Sequence, residues 1–513
     1  MKKTKLFAIS VLAALGMTAC TEDFITVSPT QEILKDNYFT NDGRVFTSVV
    51  AAYDPLQWFD YFYQYDALNM LSDIMADDIY CGGSDANDQP MNAQTHLYGA
   101  TALNCCNQVW TIAYSGVNRA NIAIEEAEKM TDLPAAVRNR YIAECMILKA
   151  YYYNVLWKFW GNIPFYDKNL TAPYYTDQKS ADHVYGEVIG WIEEALKLNA
   201  LPFKAAAGEE GRVTTPMAYM LYAEMVMYQN DNSRYGTALN YMKEIIASPD
   251  YDLVADFAGI WEESGEWCKE TIWEINYISE GAVRSWGSPI ATGGMVYAIL
   301  IGPPYADGSV YHPGWGFGPV AQHAYDMYED GDQRKDGGIL NYAKHVEEDG
   351  AQMKGEARWQ DTGYWLRKYI AREGGNHGQK ADGDMNYGNN LRVYRYSEAL
   401  LNAAELQLAL TQDDKGLAYL NEVQTRAGAT LSTESTLENI IQERRKEFLG
   451  EGKRYWDLIR TGMATEALKA NLYEGEKGWE RTIDWTPSKK YWPIPQSEMD
   501  KVDEAHKMTQ NPY

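Results

Sequence analysis

Apolar positions recur at helical spacing through three parts of the chain. The spacing holds from about 30 to 75, from about 104 to 260 and from about 391 to 470. Residues three or four positions apart share one face of a helix, so this spacing predicts helices that bury one side. The fold class indicated is mainly α.

Within these parts, small residues face aromatic ones about every three or four positions. The clearest segments are "MAYMLYAEMVMY", "ALNYMKEIIASPDYDL" and "YSEALLNAAELQLAL". Alanine lets neighbouring helices approach and tyrosine fills the space between them, which is typical of a tetratricopeptide-like repeat scaffold. The spacing is irregular, so these are degenerate repeats. A helical bundle with the same core is the alternative.

Two segments break the helical pattern, at about 76–103 and about 261–390. Gly, Pro and Asp recur every few residues there, so sustained helix is not expected. The run "ETIWEINYIS" is an exception and predicts a strand. Long ordered loops on a helical scaffold often carry binding residues, so these segments form the predicted ligand-binding part, loop-rich and irregular.

The N-terminus has the pattern of an export signal. Three lysines precede an apolar run from Leu6 to Met17, which predicts a signal peptide over 1–19. Small residues then precede Cys20, as in a bacterial lipobox, in which Cys20 is acylated and begins the mature chain, 20–513. An ordinary signal with a chance cysteine is the alternative. Membrane attachment is then expected only through the lipid.

Charge and cysteine usage narrow the ligand classes. The chain has 46 Lys and Arg against 72 Asp and Glu, a formal net charge of −26. Such a surface repels phosphate groups, so nucleic acid is not an expected partner and neutral ligands are favoured. The cysteines after Cys20 lack Cys-x-x-Cys spacing, so no metal site is predicted from them. They are Cys81, Cys105, Cys106, Cys145 and Cys268.

No local motif indicates catalysis. The chain has no Gly-x-Ser-x-Gly elbow, no His-Glu-x-x-His helix and no Walker loop, so we predict no catalytic residue and no cofactor. A glycosidase carboxylate pair could still lie among the acidic residues, because its geometry is set in space. The runs "DGDQRKDGG" (330–338) and "DGDMNYG" (382–388) suggest calcium loops, but exposed Asp-Gly turns are the favoured interpretation.

Tyrosine and tryptophan are abundant, at 39 and 16 residues. A sugar ring packs its C–H face on an aromatic plane, and its hydroxyls need polar partners to replace water. Four aromatic residues lie in segments with little helical periodicity: Tyr80, Trp286, Tyr311 and Trp315. They are the candidate stacking residues, with core packing as the alternative for each. Four other tryptophans lie in patterns that favour core packing: Trp157, Trp160, Trp456 and Trp492.

Several ordered motifs carry a family resemblance. They include "LNMLSDIMADDIY", "YIAECMILKAYYYNVLWKFWGNIPFY", "LRVYRYSEALLNAAELQLAL", "IIQERRKEFLGEGKRYWDLIRTG" and "YWPIPQSEMDKV". Together they span nearly the whole chain and resemble the SusD-like or RagB lipoproteins of Bacteroidetes glycan-uptake loci. The resemblance implies four tetratricopeptide-like helix pairs carrying a variable, loop-rich ligand-binding half.

The resemblance also implies a function and its partners. Such proteins face the cell exterior on the outer membrane and cap a SusC-like TonB-dependent transporter. They capture an oligosaccharide and deliver it without breaking bonds. Peptide-importing relatives of the RagB type leave a peptide-binding or protein-interaction role as the alternative.

The resemblance implies roles for particular residues. Tyr80 occupies a place where relatives often carry a stacking aromatic, although Cys81 follows where a polar residue is expected. Rough placement makes Asp66, Lys368 and Arg395 candidate polar partners of the ligand, with structural ion pairing as the alternative. Six charges match the family signature and are predicted to form an ion-pair network: Glu443, Arg444, Arg445, Glu447, Arg454 and Asp457.

Overall fold

The fold is taken from a computed structural model that describes residues 39–378, 382–411 and 416–513. The chain divides into two units, Met1–Val45 and Phe46–Tyr513, and the described elements belong to the second apart from the start of the first helix, at Asp42. The predicted signal peptide and Cys20 lie outside the described residues. Within the described part, every helix is too short or too polar to cross a membrane.

The first half of the chain is helical. Its helices are α1 (Asp42–Tyr53), α2 (Pro55–Trp58), α3 (Leu68–Ile74), α4 (Pro90–His96), α5 (Gln108–Lys129), α6 (Ala135–Trp160), α7 (Ala181–Lys197), α8 (Thr215–Gln229) and α9 (Tyr235–Ala247). A short antiparallel pair, β1 (Ile163–Pro164) and β2 (Gln178–Lys179), joins α6 to α7. Helix α5 packs on α6, α6 on α7 and α8 on α9, so consecutive helices cover each other as in a repeat scaffold.

Local signals set where these helices begin and end. The Thr214 side chain accepts a hydrogen bond from the Met217 backbone at 3.4 Å and caps α8, which ends at Asn230 in the left-handed conformation. Helix α6 ends at Gly161, whose φ is +65°. A Cβ at Gly161 would lie 2.5 Å from the ring of Tyr491, so only glycine fits there.

The middle of the chain is mostly irregular. Its regular elements are β3 (Thr271–Ile275), α10 (Tyr297–Leu300), α11 (Gln322–Asp326), α12 (Gln333–Gly338), β4 (Ile339–Asn341), α13 (Tyr342–Asp349), β5 (Tyr364–Leu366) and β6 (Leu391–Arg395). Strand β3 falls within the predicted "ETIWEINYIS" strand. It pairs antiparallel with β6, and β4 pairs antiparallel with β5.

The last part returns to helices. They are α14 (Tyr396–Thr411), α15 (Leu417–Ala427), α16 (Leu437–Glu447), α17 (Arg454–Arg460), α18 (Ala464–Ala467) and α19 (Gln496–Met499). Helix α14 packs on α9 although the whole irregular part separates them in sequence. The β3–β6 pair sets Thr271 opposite Arg395, so it brings both ends of the irregular part together. The irregular part is therefore an excursion from the helical scaffold, closed at this pair.

Aromatic side chains fill the core of the scaffold. The four tryptophans predicted to pack inward are all buried, and Phe159 lies 4.5 Å from Trp492 between ring centroids. The predicted mainly α fold class is confirmed. The five cysteines after Cys20 are free thiols, and all except Cys268 are buried.

The charges that match the family signature are paired, as predicted. Arg444 binds Asp457 at 2.8 Å within the C-terminal helices. Arg445 reaches Asp78 at 2.5 Å, and Arg454 reaches Asp77 at 3.0 Å, both just after α3. These pairs fasten the C-terminal helices to the segment that follows α3.

Candidate functional site

Four aromatic rings from three separate segments meet in the loop-rich part. Trp286 and Trp315 stack with centroids 5.6 Å apart and planes 26° apart. Tyr65 meets Trp315 edge-on at 5.3 Å, and Tyr61 meets Trp286 edge-on at 5.4 Å. Tyr61 is buried, whereas the other three rings are partly exposed. We call these four residues the aromatic ridge.

The two tyrosines of the ridge lie on an irregular turn between α2 and α3, residues 59–67. The turn is closed by a hydrogen bond from the Leu68 backbone to the carbonyl of Phe59 at 2.8 Å. The amide of Asn92 donates to the carbonyl of Tyr65 at 2.8 Å. Because both bonds hold backbone atoms, the tyrosine rings remain available to pack against the loops.

Asp66 holds this turn against the helical scaffold. Its side chain is buried beside the start of α5, where the backbone N–H of Gln108 favours the charged form of the carboxylate. Asn107, the residue before α5, makes no side-chain cap. Asp66 thus lies at the N-terminal end of α5, where the helix dipole favours a negative charge. This corrects the prediction that Asp66 faces the ligand, because a carboxylate buried against a helix end has no exposed oxygen to offer.

A buried ion pair joins the tyrosine turn to the loop that carries Trp286. Arg284 binds Asp60 at 2.7 Å and donates to the carbonyls of Tyr61 and Gly294, each at 2.8 Å. The second oxygen of Asp60 accepts from the Val296 backbone at 2.5 Å. Burial raises the pKa of Asp60, and Arg284 opposes that shift. One guanidinium therefore fixes both loops at the ridge.

The loop that carries Trp315 is fixed by backbone contacts. The backbone N–H of Trp315 donates to the carbonyl of Ile299 at 2.9 Å. Beside it, Gly82 forms an antiparallel bridge with Phe317. A Cβ at Gly82 would lie 2.2 Å from the carbonyl oxygen of Gly316, so glycine permits this close approach of two loops.

Polar groups flank the ridge. Arg358 is exposed and donates to the carbonyl of Trp315 at 2.8 Å. Asp88 accepts from the backbone and hydroxyl of Ser84 at 2.9 and 2.6 Å. Burial, and then the charge of Asp88, raise the pKa of Tyr65, so its hydroxyl stays protonated and can both donate and accept. The surroundings offer a carboxylate, a guanidinium and hydroxyls.

The structure corrects the prediction for Tyr80. Its ring is fully buried, 6.1 Å from Trp479 between centroids, and its hydroxyl donates to Glu476 at 3.3 Å. Glu476 also accepts from the His323 ring at 2.8 Å. The C-terminal segment that carries Glu476 and Trp479 therefore covers Tyr80, so Tyr80 is not part of the aromatic ridge.

Tyr311 is also buried away from the ridge. It belongs to a small apolar cluster with Trp365 and Tyr342. Its hydroxyl accepts from Arg367 at 3.2 Å, and its ring lies 5.2 Å from that of His345. Of the two open interpretations for Tyr311, the structure shows core packing.

Lys368 and Arg395 belong to a buried ion network, which corrects their prediction as ligand partners. Lys368 binds Glu451 at 2.7 Å, and Arg395 binds Glu451 at 2.7 Å and Glu447 at 2.9 Å. Each of these side chains is at most 3% exposed. Their charges are satisfied inside the protein, so they act in stability.

Sequence reasoning missed Tyr61, Tyr65, Asp60 and Arg284. The missed signal is the run "WFDYFYQYDA" (58–67), in which aromatic residues stand too densely to share one helical face. Arg284 carries no local signal, because its carboxylate partner is more than 200 positions away in the chain.

The two Asp-Gly runs lead to different structures. In the first, Asp332 caps α12 and binds Arg334 at 2.8 Å, so its carboxylate is used inside the protein. In the second, the backbone of Asp382 adopts a left-handed conformation. Among the described residues, no group of three or more His, Cys, Asp or Glu side chains is arranged to hold a metal ion.

The chain thus combines a helical scaffold with a loop-rich part in which aromatic rings from three segments meet. Two family descriptions match the chain: the SusD family over residues 269–513, and "starch-binding associating with outer membrane" over residues 58–218. The chain belongs to the SusD family.

Solved structures and curated relatives agree with this assignment. The chain is 43% identical to surface glycan-binding protein A of Bacteroides thetaiotaomicron in complex with laminarihexaose, with a TM-score of 0.85, covering 92% of this chain and all of that one. A laminarin-binding SusD-like protein is 25% identical, with a TM-score of 0.80, covering 92% of this chain and 99% of that one. A SusD-like protein of Formosa agariphila is 23% identical over 91% of this chain and 94% of its own length.

Proposed function

We propose that this protein is a non-catalytic, glycan-binding protein of the cell surface that captures its ligand on the aromatic ridge. The observation that carries the proposal is the contact of Trp286, Trp315 and Tyr65, which come from three separate segments and keep partly exposed rings. Three rings held together at a surface offer a sugar chain several C–H contacts at once.

The flanking groups suit the hydroxyls of a neutral sugar. A sugar loses hydrogen bonds to water when it binds, and polar side chains must replace them. Arg358 and Ser84 can donate, and Asp88 can accept. The net charge of −26 also favours a neutral glycan over an anionic one.

We further infer that the glycan is a β-1,3-glucan of the laminarin type. The similarity to a protein bound to laminarihexaose, and to a second one that binds laminarin, supports this ligand. The ridge is also not flat: Tyr65 stands at 88° to Trp315, while Trp286 lies at 26° to it. Such a bent surface suits a curved β-1,3-linked chain better than a flat β-1,4-linked ribbon.

The family match supports placing the protein on the outer membrane, anchored by a lipid on Cys20 and facing the exterior. There it delivers captured oligosaccharide to a SusC-like TonB-dependent transporter. Fractionation of the native cells tests this placement: the protein should remain with outer membranes together with a transporter. Recovery of the intact protein from the soluble fraction would contradict it.

Calorimetric titration of the mature chain with laminarihexaose tests the ligand and the site. Burying one aromatic ring is worth about 1.5–3 kcal/mol, so the double variant Trp286→Ala and Trp315→Ala should lose about 100-fold or more in affinity. Tyr219→Ala is the matched control, because Tyr219 is a partly exposed ring stacked at 3.9 Å on Tyr241, both in the helical scaffold.

Four results would each contradict a different part of the proposal: the site, the glycan linkage, the ligand class or the absence of catalysis. Unchanged affinity in the double variant would remove the ridge as the site. Binding of maltohexaose or cellohexaose in place of laminarihexaose would overturn the linkage. Binding of oligopeptides without any glycan would favour the alternative role, and sugar release during incubation would show an enzyme.

A further inference from the structure

A second aromatic groove lies outside the ridge. It has a volume of about 520 Å³, within the range of small-ligand sites, which is roughly 300–1,000 Å³. Its walls come from the first half of α5, from the loop 164–176 between β1 and β2, and from the C-terminal segment 498–508. We call it the α5 groove. None of the ridge residues lines it.

The wall that α5 contributes is aromatic and rigid. Trp110 and Tyr114 lie 5.0 Å apart between centroids, and Tyr114 stacks on Tyr166 at 6.1 Å with planes 20° apart. The hydroxyl of Tyr114 donates to the carbonyl of Pro164 at 2.6 Å, which holds the ring against the loop. The groove thus presents the partly exposed rings of Tyr114 and Tyr166, with Trp110 buried behind them.

Tyr174 is held in an unusual state at the groove. Its φ is +65°, a region that few residues other than glycine adopt, and its backbone closes a turn with Thr171 at 2.8 Å. The residue is 68% exposed. The fold therefore keeps a large ring exposed at the edge of the groove, although its backbone conformation costs free energy.

Uncharged polar side chains accompany the rings. Thr111 and Asn118 lie three residues before and four residues after Tyr114, so all three share one face of α5. Both polar side chains are exposed. On the opposite wall, Glu498 and Lys501 neutralise each other at 2.6 Å. Hydroxyl and amide groups beside flat rings, without net charge, suit a neutral sugar better than an anionic or an aliphatic ligand.

We propose that the α5 groove is a second binding site for a neutral glycan, separate from the aromatic ridge. The inference rests on the proposed function, since it takes the same class of ligand. Two sites on one protein would hold a long polysaccharide at two points, which raises its apparent affinity above that of either site alone.

The test removes the ridge first. In the Trp286→Ala and Trp315→Ala background, residual binding of laminarin is measured by affinity electrophoresis, with and without the added changes Tyr174→Ala and Asn118→Ala. We expect residual retention in the ridge variant and at least a tenfold loss when the groove changes are added. Both groove side chains are exposed, so folding should persist, and circular dichroism checks it.

Hydrogen exchange locates the second site directly. In the ridge variant, laminarin should slow exchange in residues 108–118 and 171–176, and Tyr219→Ala added to that background should not alter the effect. Absence of residual binding, or residual binding that survives the groove changes, would overturn the α5 groove while wild-type binding leaves the ridge proposal intact. If the wild-type protein binds no glycan, both proposals fail.

Discussion

Asp66 is the residue next to Tyr65 of the ridge, and its ionisation is opposed by its surroundings. Burial raises its pKa to about 7, although the backbone N–H of Gln108 favours the charged form. Its Oδ2 atom is buried and has no hydrogen-bond partner in the described structure. A carboxylate with a raised pKa binds its proton more tightly in the folded than in the unfolded chain.

The sign of the pH effect follows from this difference. Below about pH 4 Asp66 is protonated in both states, so it has no effect on the pH dependence of stability there. As pH rises from about 4 towards 7, only the unfolded chain ionises freely, and the free energy of unfolding falls by an amount on the order of 4 kcal/mol. Above pH 7 the free energy of unfolding is lowered by this full amount.

Asp66→Asn should therefore stabilise the protein at high pH. Asparagine keeps an oxygen for the Gln108 N–H and cannot ionise, so at pH 8 the variant should unfold with a free energy a few kcal/mol above wild type, and the gap should shrink at pH 5. Urea denaturation at both pH values measures it. The control is Glu187→Gln, an exposed carboxylate on α7. Parallel pH profiles for Asp66→Asn and wild type would contradict the prediction.

Whether the exposure of a side chain can be predicted from the sequence depends on how far along the chain its contacting residues lie. Trp286 and Trp315 stand in Gly-rich loops, so their partial exposure could be inferred locally. Tyr80 stands in a similar loop, but its cover is Trp479, almost 400 positions later in the chain. Lys368 and Arg395 are buried by partners in α16 and just after it. Local composition contains no information about such partners.

At the scale of elements, the ridge depends on how three loops are fixed to one another. The turn 59–67 and the loop after Arg284 share one guanidinium. The loop of Trp315 is fixed by backbone pairing with the segment at Gly82. None of these loops is rigid through helix or sheet of its own, so the ion pair and the bridge set the ring positions.

Arg284→Met should damage both stability and binding. The change leaves Asp60 buried without its cation, which costs about 3–5 kcal/mol, and it frees the carbonyls of Tyr61 and Gly294. Urea denaturation should show that loss, and calorimetry should show weaker laminarihexaose binding in the protein that remains folded.

The double variant Asp60→Asn and Arg284→Met separates the two effects. Removing the buried negative charge should restore much of the stability, whereas the loops still lack their shared anchor and affinity should stay low. Wild-type affinity in either variant would show that the ridge does not need this anchor.

Most helices and strand β3 could be predicted from the sequence, but the turn 59–67 could not. Helical periodicity anticipated the scaffold, and the "ETIWEINYIS" run anticipated β3. The predicted helical stretch from about 30 to 75 is interrupted at 59–67, where the tyrosines of the ridge lie. The dense aromatic residues of this run include pairs four positions apart, such as Tyr61 and Tyr65, which satisfy a helical pattern by chance. Periodicity alone therefore could not reveal this turn.

At the scale of the whole molecule, a buried ion network joins the irregular excursion to the helical scaffold. Glu447 of α16 binds Arg395 of β6 at 2.9 Å, Arg334 of α12 at 3.2 Å, and Arg426 of α15. Glu270, just before β3, binds Arg395 at 2.5 Å. Charges from five places along the chain therefore meet where the excursion begins and ends.

Glu447 is the centre of this network. Burial alone would raise its pKa, but Arg426, Arg395 and Arg334 outweigh burial and hold the pKa well below the ordinary value. A lowered pKa means that the charged form stabilises the fold above about pH 4.3, and that this stabilisation is lost as pH falls further.

Glu447→Gln should accordingly destabilise the whole molecule at neutral pH. It leaves three buried guanidinium groups short of one negative charge, at a cost of about 3–5 kcal/mol. Urea unfolding followed by circular dichroism and by tryptophan fluorescence should show that loss at pH 7 with coincident transitions, since scaffold and excursion share the network. The difference in unfolding free energy from wild type should narrow at pH 4, where protonation of Glu447 in the unfolded wild-type chain begins to reduce its stabilising effect.

Glu128→Gln, an exposed position on α5, controls for the loss of one charge. A loss below about 1 kcal/mol, or separate transitions for the two probes, would show that the excursion is held to the scaffold by other contacts.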